Sequence, residues 1–165
     1  EASQELRSKM PRSYKPTQVF LKPDPRYGSR LISKLINKLM LDGKKSTAQK
    51  IFYDAMDIVT EKVQAEPVEI VEKVIDNVMP RIEVRSRRVG GATYQVPREV
   101  QRRRSQSLGI RWLIDAARAK RGKPMARRLA EEIFDAWNNQ GVAVTKKENV
   151  HKMAEANSAY SHFSW

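Results

Sequence analysis

Cysteine is absent from the 165 residues. That excludes a disulfide framework, a thiolate metal site and a thiol nucleophile. Histidine is almost absent: His151 and His162 are the only two, eleven positions apart, and without companion ligands they are not expected to hold a metal. No phosphate-cradling P-loop, dinucleotide-binding G-x-G-x-x-G or nucleophile-elbow G-x-S-x-G pattern occurs, so no cofactor and no catalytic residue is assigned. There is no apolar run long enough to cross a bilayer and no secretory leader pattern. A soluble intracellular chain with no membrane partner is expected. The scarce charge is negative: 19 Asp+Glu face 32 Lys+Arg, a net +13. An excess of that size points to a polyanionic partner, nucleic acid first. The hydrophobic share of 40% and the chain length are enough for one domain with a real core.

The stretch from Met79 to Arg104 is the most informative. Pro80 stops any preceding helix. A β-type run, Ile82 to Val89, then leads to Gly90-Gly91 and a second run, Ala92 to Val96. Two glycines between such runs predict a tight hairpin, because the favoured two-residue turns need φ > 0. The register follows: Val89 opposite Ala92, Arg87 opposite Tyr94, Arg85 opposite Val96, Glu83 opposite Arg98, with Arg88–Thr93, Ser86–Gln95 and Val84–Pro97 between them. Both faces carry polar or basic groups, so the ribbon at about 81–98 is expected to project into solvent, roughly 25 Å long at ~3.3 Å per residue. An isolated two-stranded hairpin is marginally stable. Arg81, Arg85, Arg87, Arg88, Arg98 and Arg102, Arg103 and Arg104 suggest that an anionic partner orders it, with Tyr94 offering a ring face. The plain alternative is a solvated edge whose arginines prevent aggregation.

Elsewhere the periodicity is helical. Residues 1–28 read as a flexible basic arm with Arg12, Lys15 and Lys22 as candidate phosphate contacts, ending in the turn-rich Pro23–Gly28. Residues 29–165 read as one helical domain. Leu31, Ile32, Leu35, Ile36, Leu39 and Met40 form one apolar stripe, closed by Asp42-Gly43. Ser46-x-x-Gln49 fits a capping box opening a second helix through Ala48, Ile51, Phe52, Ala55, Met56, Val59 and Val63. A third starts at Pro67 and buries Val68, Val71, Val74, Ile75 and Val78. Ser105 or Ser107 is expected to cap a fourth, with Leu108, Trp112, Leu113, Ala116 and Ala117 inward. Pro124 opens a fifth, through Met125, Leu129, Ala130, Ile133, Phe134 and Trp137. Thr145-x-x-Glu148 reads as a capping box for a sixth, through Val150, Met153, Ala154 and Asn157. The fold class is mostly α: six helices with an arginine-rich hairpin between the third and fourth.

Charge is segregated. Asp54, Asp57, Glu61, Glu66, Glu69, Glu72 and Asp76 crowd the second and third helices. Basic residues crowd the arm, Lys44-Lys45, the hairpin, the span Arg111 to Arg128 with Arg118 in it, and Lys146-Lys147. One binding face and one solvated face are expected. Lys146 and Lys147 fall in the first turn of the sixth helix as read here, where the macrodipole disfavours cations; a bound phosphate would resolve the conflict. The aromatic tail, Tyr160, His162, Phe163 and Trp165, is expected to dock on the helices, with base stacking as the alternative.

Asp42-Gly43-Lys44-Lys45, the run Ser86 to Pro97, Arg111-Trp112 and His151 to Asn157 together resemble the bacterial-type S-seven family of the small ribosomal subunit, over about Pro23 to Trp165. The resemblance implies a six-helix fold with a hairpin and a structural rather than enzymatic role. It implies direct binding to small-subunit rRNA at a junction of the 3′ major domain, nucleation of head assembly, and a place near the exit-site tRNA and the mRNA exit path. Neighbours would be proteins of the S-nine and S-eleven families, the chain being a monomer within a cytoplasmic bacterial ribosome rather than an organellar one. By position, the arm, Lys44, Lys45 and the hairpin base would face rRNA. Arg88, Val89, Gly90, Gly91, Met153, Asn157 and Tyr160 would lie toward tRNA. Two departures stand out: Glu1–Lys9 precedes the usual family start, and Ser164 stands where arginine is common. The rival readings are a general basic nucleic-acid-compacting protein and an RNA-modifying or RNA-cleaving enzyme using His151 or His162.

Overall fold

A computed structural model describes residues 21–163. Arg12, Lys15, Ser164 and Trp165 lie outside them. Six α-helices are formed by the described residues: α1 (Arg30–Leu39), α2 (Lys45–Val63), α3 (Pro67–Val78), α4 (Arg102–Ala119), α5 (Met125–Trp137) and α6 (Val142–Ala156). Between α3 and α4 stand β1 (Ile82–Val89) and β2 (Ala92–Glu99), and a 3₁₀ turn, Ser158–Phe163, follows α6. No described helix is long and apolar enough to cross a membrane.

The core is built from the stripes that the periodicity marks. Ile32, Leu35, Ile36, Phe52, Met56, Val59, Val74, Ile75 and Leu113 are all buried. Each such side chain contributes about 1.5–3 kcal/mol by leaving water. The stripes are wider than the sequence pattern indicates. Ile70 on α3 and Ile110 and Ile114 on α4 are also buried, whereas Val68 and Leu108 sit at the core's edge. The reason is position: α4 packs against α1, α3, α5 and α6, so it is covered on more than one face and a single stripe understates it.

Three helix starts differ from the sequence reading. Helix α2 begins at Lys45 with Lys44 at the N-cap position and no side-chain cap, so Ser46 lies inside the first turn and the Ser46–Gln49 box does not form. Helix α4 begins at Arg102, not after Ser105 or Ser107. Ser105 is buried and donates its hydroxyl to the Pro80 carbonyl at 2.7 Å, while Ser107 bonds back to the Arg103 carbonyl. Helix α6 begins at Val142 with Gly141 at the N-cap position. Thr145 therefore sits inside the helix, its hydroxyl donating to the Gly141 carbonyl at 2.9 Å, and Lys146 and Lys147 lie beyond the first turn.

Candidate nucleic-acid interface

The hairpin has the register read from the glycines, from Val89–Ala92 down to Glu83–Arg98, extended by Ile82–Glu99. Gly90 and Gly91 take φ of 59° and 86°, the signs that a primed turn requires and that a Cβ would disfavour. The tip is exposed. The lower half does not project free, contrary to the reading of two polar faces. Val96 is buried, α6 packs on β1, and the 3₁₀ turn packs on β2. The Tyr94 and Tyr160 rings lie 5.1 Å apart. Of the aromatic tail, Tyr160 thus docks on a strand rather than on the helices.

Two anchors fix the hairpin's base. His151 of α6 accepts the Arg81 backbone N–H at Nε2, 3.1 Å away. Burial, then the charges of Lys147 and Arg81, hold the His151 imidazole below its ordinary pKa, which keeps it an acceptor. This engagement leaves Nε2 poorly placed for the acid/base role in the enzyme reading. The second anchor is Glu83, nearly buried, whose carboxylate accepts from Arg85 Nε at 2.7 Å and Arg104 Nε at 2.8 Å. Burial pushes the Glu83 carboxyl up, but the hydrogen bonds from Arg104 and Arg85 outweigh it and set it below its ordinary value. The pairing ties the strand to the start of α4 across 21 positions, a distance no local motif reveals.

The remaining basic side chains divide into committed and open groups. Arg118 donates to the Leu39 carbonyl at 3.2 Å, closing the end of α1. Lys147 donates to the Asn77 carbonyl at 2.7 Å, and the Lys146 ammonium lies 5.6 Å from the Trp112 ring centre. Arg81, Arg88, Arg98, Arg102, Arg103 and Arg111 are exposed, with no ion pair among the described residues. Lys22, Lys44 and Lys45 are exposed as well. The acidic side chains at Asp54, Asp57, Glu61, Glu66, Glu69, Glu72 and Asp76 are all exposed on α2, α3 and the turn between them, and Asp57 pairs with Arg26 at 2.8 Å.

The helix starts sort in the same way. At α6, the buried Glu132 carboxylate from α5 accepts the Ala143 backbone N–H at 2.9 Å. Its other oxygen lies 3.0 Å from the Lys120 ammonium. Burial alone would lower the Lys120 pKa; Glu132 and then Asp135 outweigh it and raise it. The anion at this helix start is the chain's own, and Lys146 and Lys147 lie past the first turn in which the sequence reading placed them. Helix α4 is the opposite case. Its first turn carries Arg102, Arg103 and Arg104, with no acidic residue and no side-chain cap. Cations at the positive end of a helix cost a few tenths of a kcal/mol each unless an anion joins them. The signal missed in the sequence was the helix start itself: the dipole conflict assigned to the two lysines belongs to these arginines.

Hence the geometry defines a class, a helical domain with a docked, arginine-rich two-stranded ribbon whose open cations cluster along the ribbon and the first turn of the following helix. The chain belongs to the ribosomal protein S7p/S5e family, whose model matches residues 11–158. It is 58% identical over 143 residues to the small ribosomal subunit protein uS7 of Thermotoga petrophila, covering 87% of this chain and 92% of that one. It is 60% identical over 143 residues, with the same coverage, to the uS7 protein of a Thermoanaerobacter species. With the uS7 protein of Dictyoglomus turgidum it shares 56% identity over 156 residues, covering 94% of this chain and all of the relative.

Proposed function

We propose that this chain is a structural constituent of the small ribosomal subunit that binds small-subunit rRNA directly and acts as no enzyme. The observation that carries the reading is the open arginine surface of the hairpin and the α4 start in a chain of this family. Arginine meets phosphate bidentately. A-form RNA hides its base edges in a deep major groove, so a protein of this shape reads phosphates, 2′-hydroxyls and junction geometry. A narrow ribbon held rigidly at its base suits entry into a junction. Preferential binding of one junction geometry shifts the RNA population toward it, which is how such a protein nucleates assembly.

The finer reading places the contact at a junction of the 3′ major domain, within the subunit head of a bacterial cytoplasmic ribosome. Arg81, Arg85, Arg87, Tyr94, Arg102–Arg104 and Arg111, with Lys22, Lys44 and Lys45, face rRNA. The exposed turn at Arg88–Gly91, together with Met153, Asn157 and Tyr160, lies toward the exit-site tRNA and the mRNA exit path. S-nine and S-eleven family proteins are the proposed neighbours. What supports this arrangement is that the two tRNA-side segments belong to elements that pack together.

A salt titration tests the reading, with a head-domain RNA fragment, an unrelated structured RNA and duplex DNA. Charge alone gives a steep loss for every polyanion, a log–log slope near −0.9 per phosphate on duplex DNA. The head-domain RNA should retain a large advantage at physiological salt. Equal loss for all three would mean a general basic binder and overturn the proposal.

A further inference from the structure

A groove of about 640 Å³ opens between the end of α3, the hairpin base and the start of α4. Its walls include the apolar side chains of Met79, Pro80, Ile82 and Val100. Its rim is of mixed sign, with Arg81 and Arg102 against Asp76 and Glu99. None of these four charges makes an ion pair among the described residues. Beside it, Glu83 pairs with both Arg85 and Arg104, so the unpaired rim is a local difference and not a general habit of the hairpin base.

The floor is fixed before any ligand arrives. The Pro80 carbonyl accepts from Ser105, the Arg81 N–H is held by His151, and the Arg81 carbonyl accepts the Val100 N–H at 2.9 Å. Met79 is seated against Gly109, where a Cβ would come within 3.2 Å of its Cγ. A preformed floor spares the ordering cost that weakens binding.

The ligand that fits must bring a flat apolar body, an anion for the guanidiniums and N–H donors for the carboxylates, which only accept. A phosphate alone meets repulsion from Asp76 and Glu99. A single unstacked nucleotide brings all three. Among the bases, guanine offers two adjacent donors, N1–H and N2–H, to one carboxylate; uracil flanks its one ring N–H with two carbonyls, and adenine and cytosine set a ring acceptor beside the amino group. Glu99 stands opposite Ile82 in the ladder, beside the apolar surface on which a base would lie. We propose that this groove takes one splayed-out guanine nucleotide of the bound RNA. The base lies on Ile82, Glu99 is paired to its Watson–Crick edge, and Arg81 and Arg102 hold its phosphate. This deepens the RNA-binding reading and rests on it.

The test is methyl NMR of the full chain titrated with guanosine 5′-monophosphate and, separately, uridine 5′-monophosphate. Ile82 and Val100 should shift and saturate with the guanosine nucleotide while Leu41, on another surface, does not. The uridine nucleotide should bind about tenfold or more weaker, the discrimination one bidentate pair gives. Glu99→Gln, at an exposed position, should remove the preference and leave the fold intact. Equal response to both nucleotides, or none at Ile82 and Val100, overturns the groove assignment. If the chain meanwhile keeps its selectivity for head-domain RNA, only the groove assignment fails; loss of that selectivity sinks the RNA reading itself.

Discussion

Helices α4 and α6 begin in the same electrostatic difficulty and resolve it differently. Each start exposes backbone N–H groups and a positive dipole end, and neither has an acidic residue in its first turn or a side-chain cap of its own. At α6 the fold brings an anion inward, Glu132, and balances that buried charge with Lys120. At α4 it adds Arg102, Arg103 and Arg104 and satisfies only the last, through Glu83. One start is complete without a partner; the other keeps Arg102 and Arg103 without an ion pair among the described residues. Spare positive charge at a solvated helix start costs little stability, so it is tolerable where a polyanion binds. A buried start has no such latitude.

The largest expected effect comes from opening the closed start. Glu132→Ala leaves the Ala143 N–H without its acceptor and the Lys120 ammonium with Asp135 alone. The unsatisfied buried N–H and the weakened ion pair should together cost about 2–4 kcal/mol, read as a lower denaturant midpoint. RNA affinity of the folded fraction should be unchanged. Gly141→Ala attacks the same start through shape. Gly141 has φ of 95° and an added Cβ would meet the Asp135 Cβ at 2.9 Å and Glu132 Oε1 at 3.0 Å. A side chain there should cost about 1–3 kcal/mol; a change within experimental error would show that the α6 start does not depend on that close approach.

A smaller effect concerns the open side and depends on pH. The folded state holds the His151 pKa below its ordinary value. The unfolded chain therefore takes up the proton first as pH falls. The anchor's contribution is whole above roughly pH 6.5 and shrinks as pH falls toward the folded pKa. A neutral hydrogen bond is worth about 1 kcal/mol, so the loss should not exceed that. Protection factors for the Arg81 amide, corrected for intrinsic exchange, should fall between pH 7.5 and 5.5. They should be insensitive to pH over that range in His151→Ala; equal pH sensitivity there would remove His151 as the anchor.

What could be read from the chain tracks how local the deciding interaction is. The whole hairpin register was legible because Gly90-Gly91 fixes the turn and alternation does the rest. Helix existence was legible from 3.6-residue stripes. Helix starts were not, because the groups that decide them are distant. Thr145 and Glu148 imitate a capping box, yet the N–H acceptor is Glu132 on another helix. Ser105 imitates a cap, yet its hydroxyl is used on Pro80. The cationic surface was visible in composition and spacing. Which members are open was not: Arg104 and Arg118 look like their neighbours in sequence but are occupied by Glu83 and by the Leu39 carbonyl.

The most direct test of the contrast compares two double variants by the salt dependence of binding to the head-domain RNA fragment. Arg102→Gln with Arg103→Gln removes open cations from the α4 start; Lys146→Gln with Lys147→Gln removes cations that lie past the α6 start. Each phosphate no longer neutralised lowers the log–log slope by roughly 0.7–0.9. The arginine pair should flatten the slope by about one to two phosphates' worth, and the lysine pair should leave it close to wild type. A flattened slope for the lysines with none for the arginines would contradict the division into an open and a closed helix start.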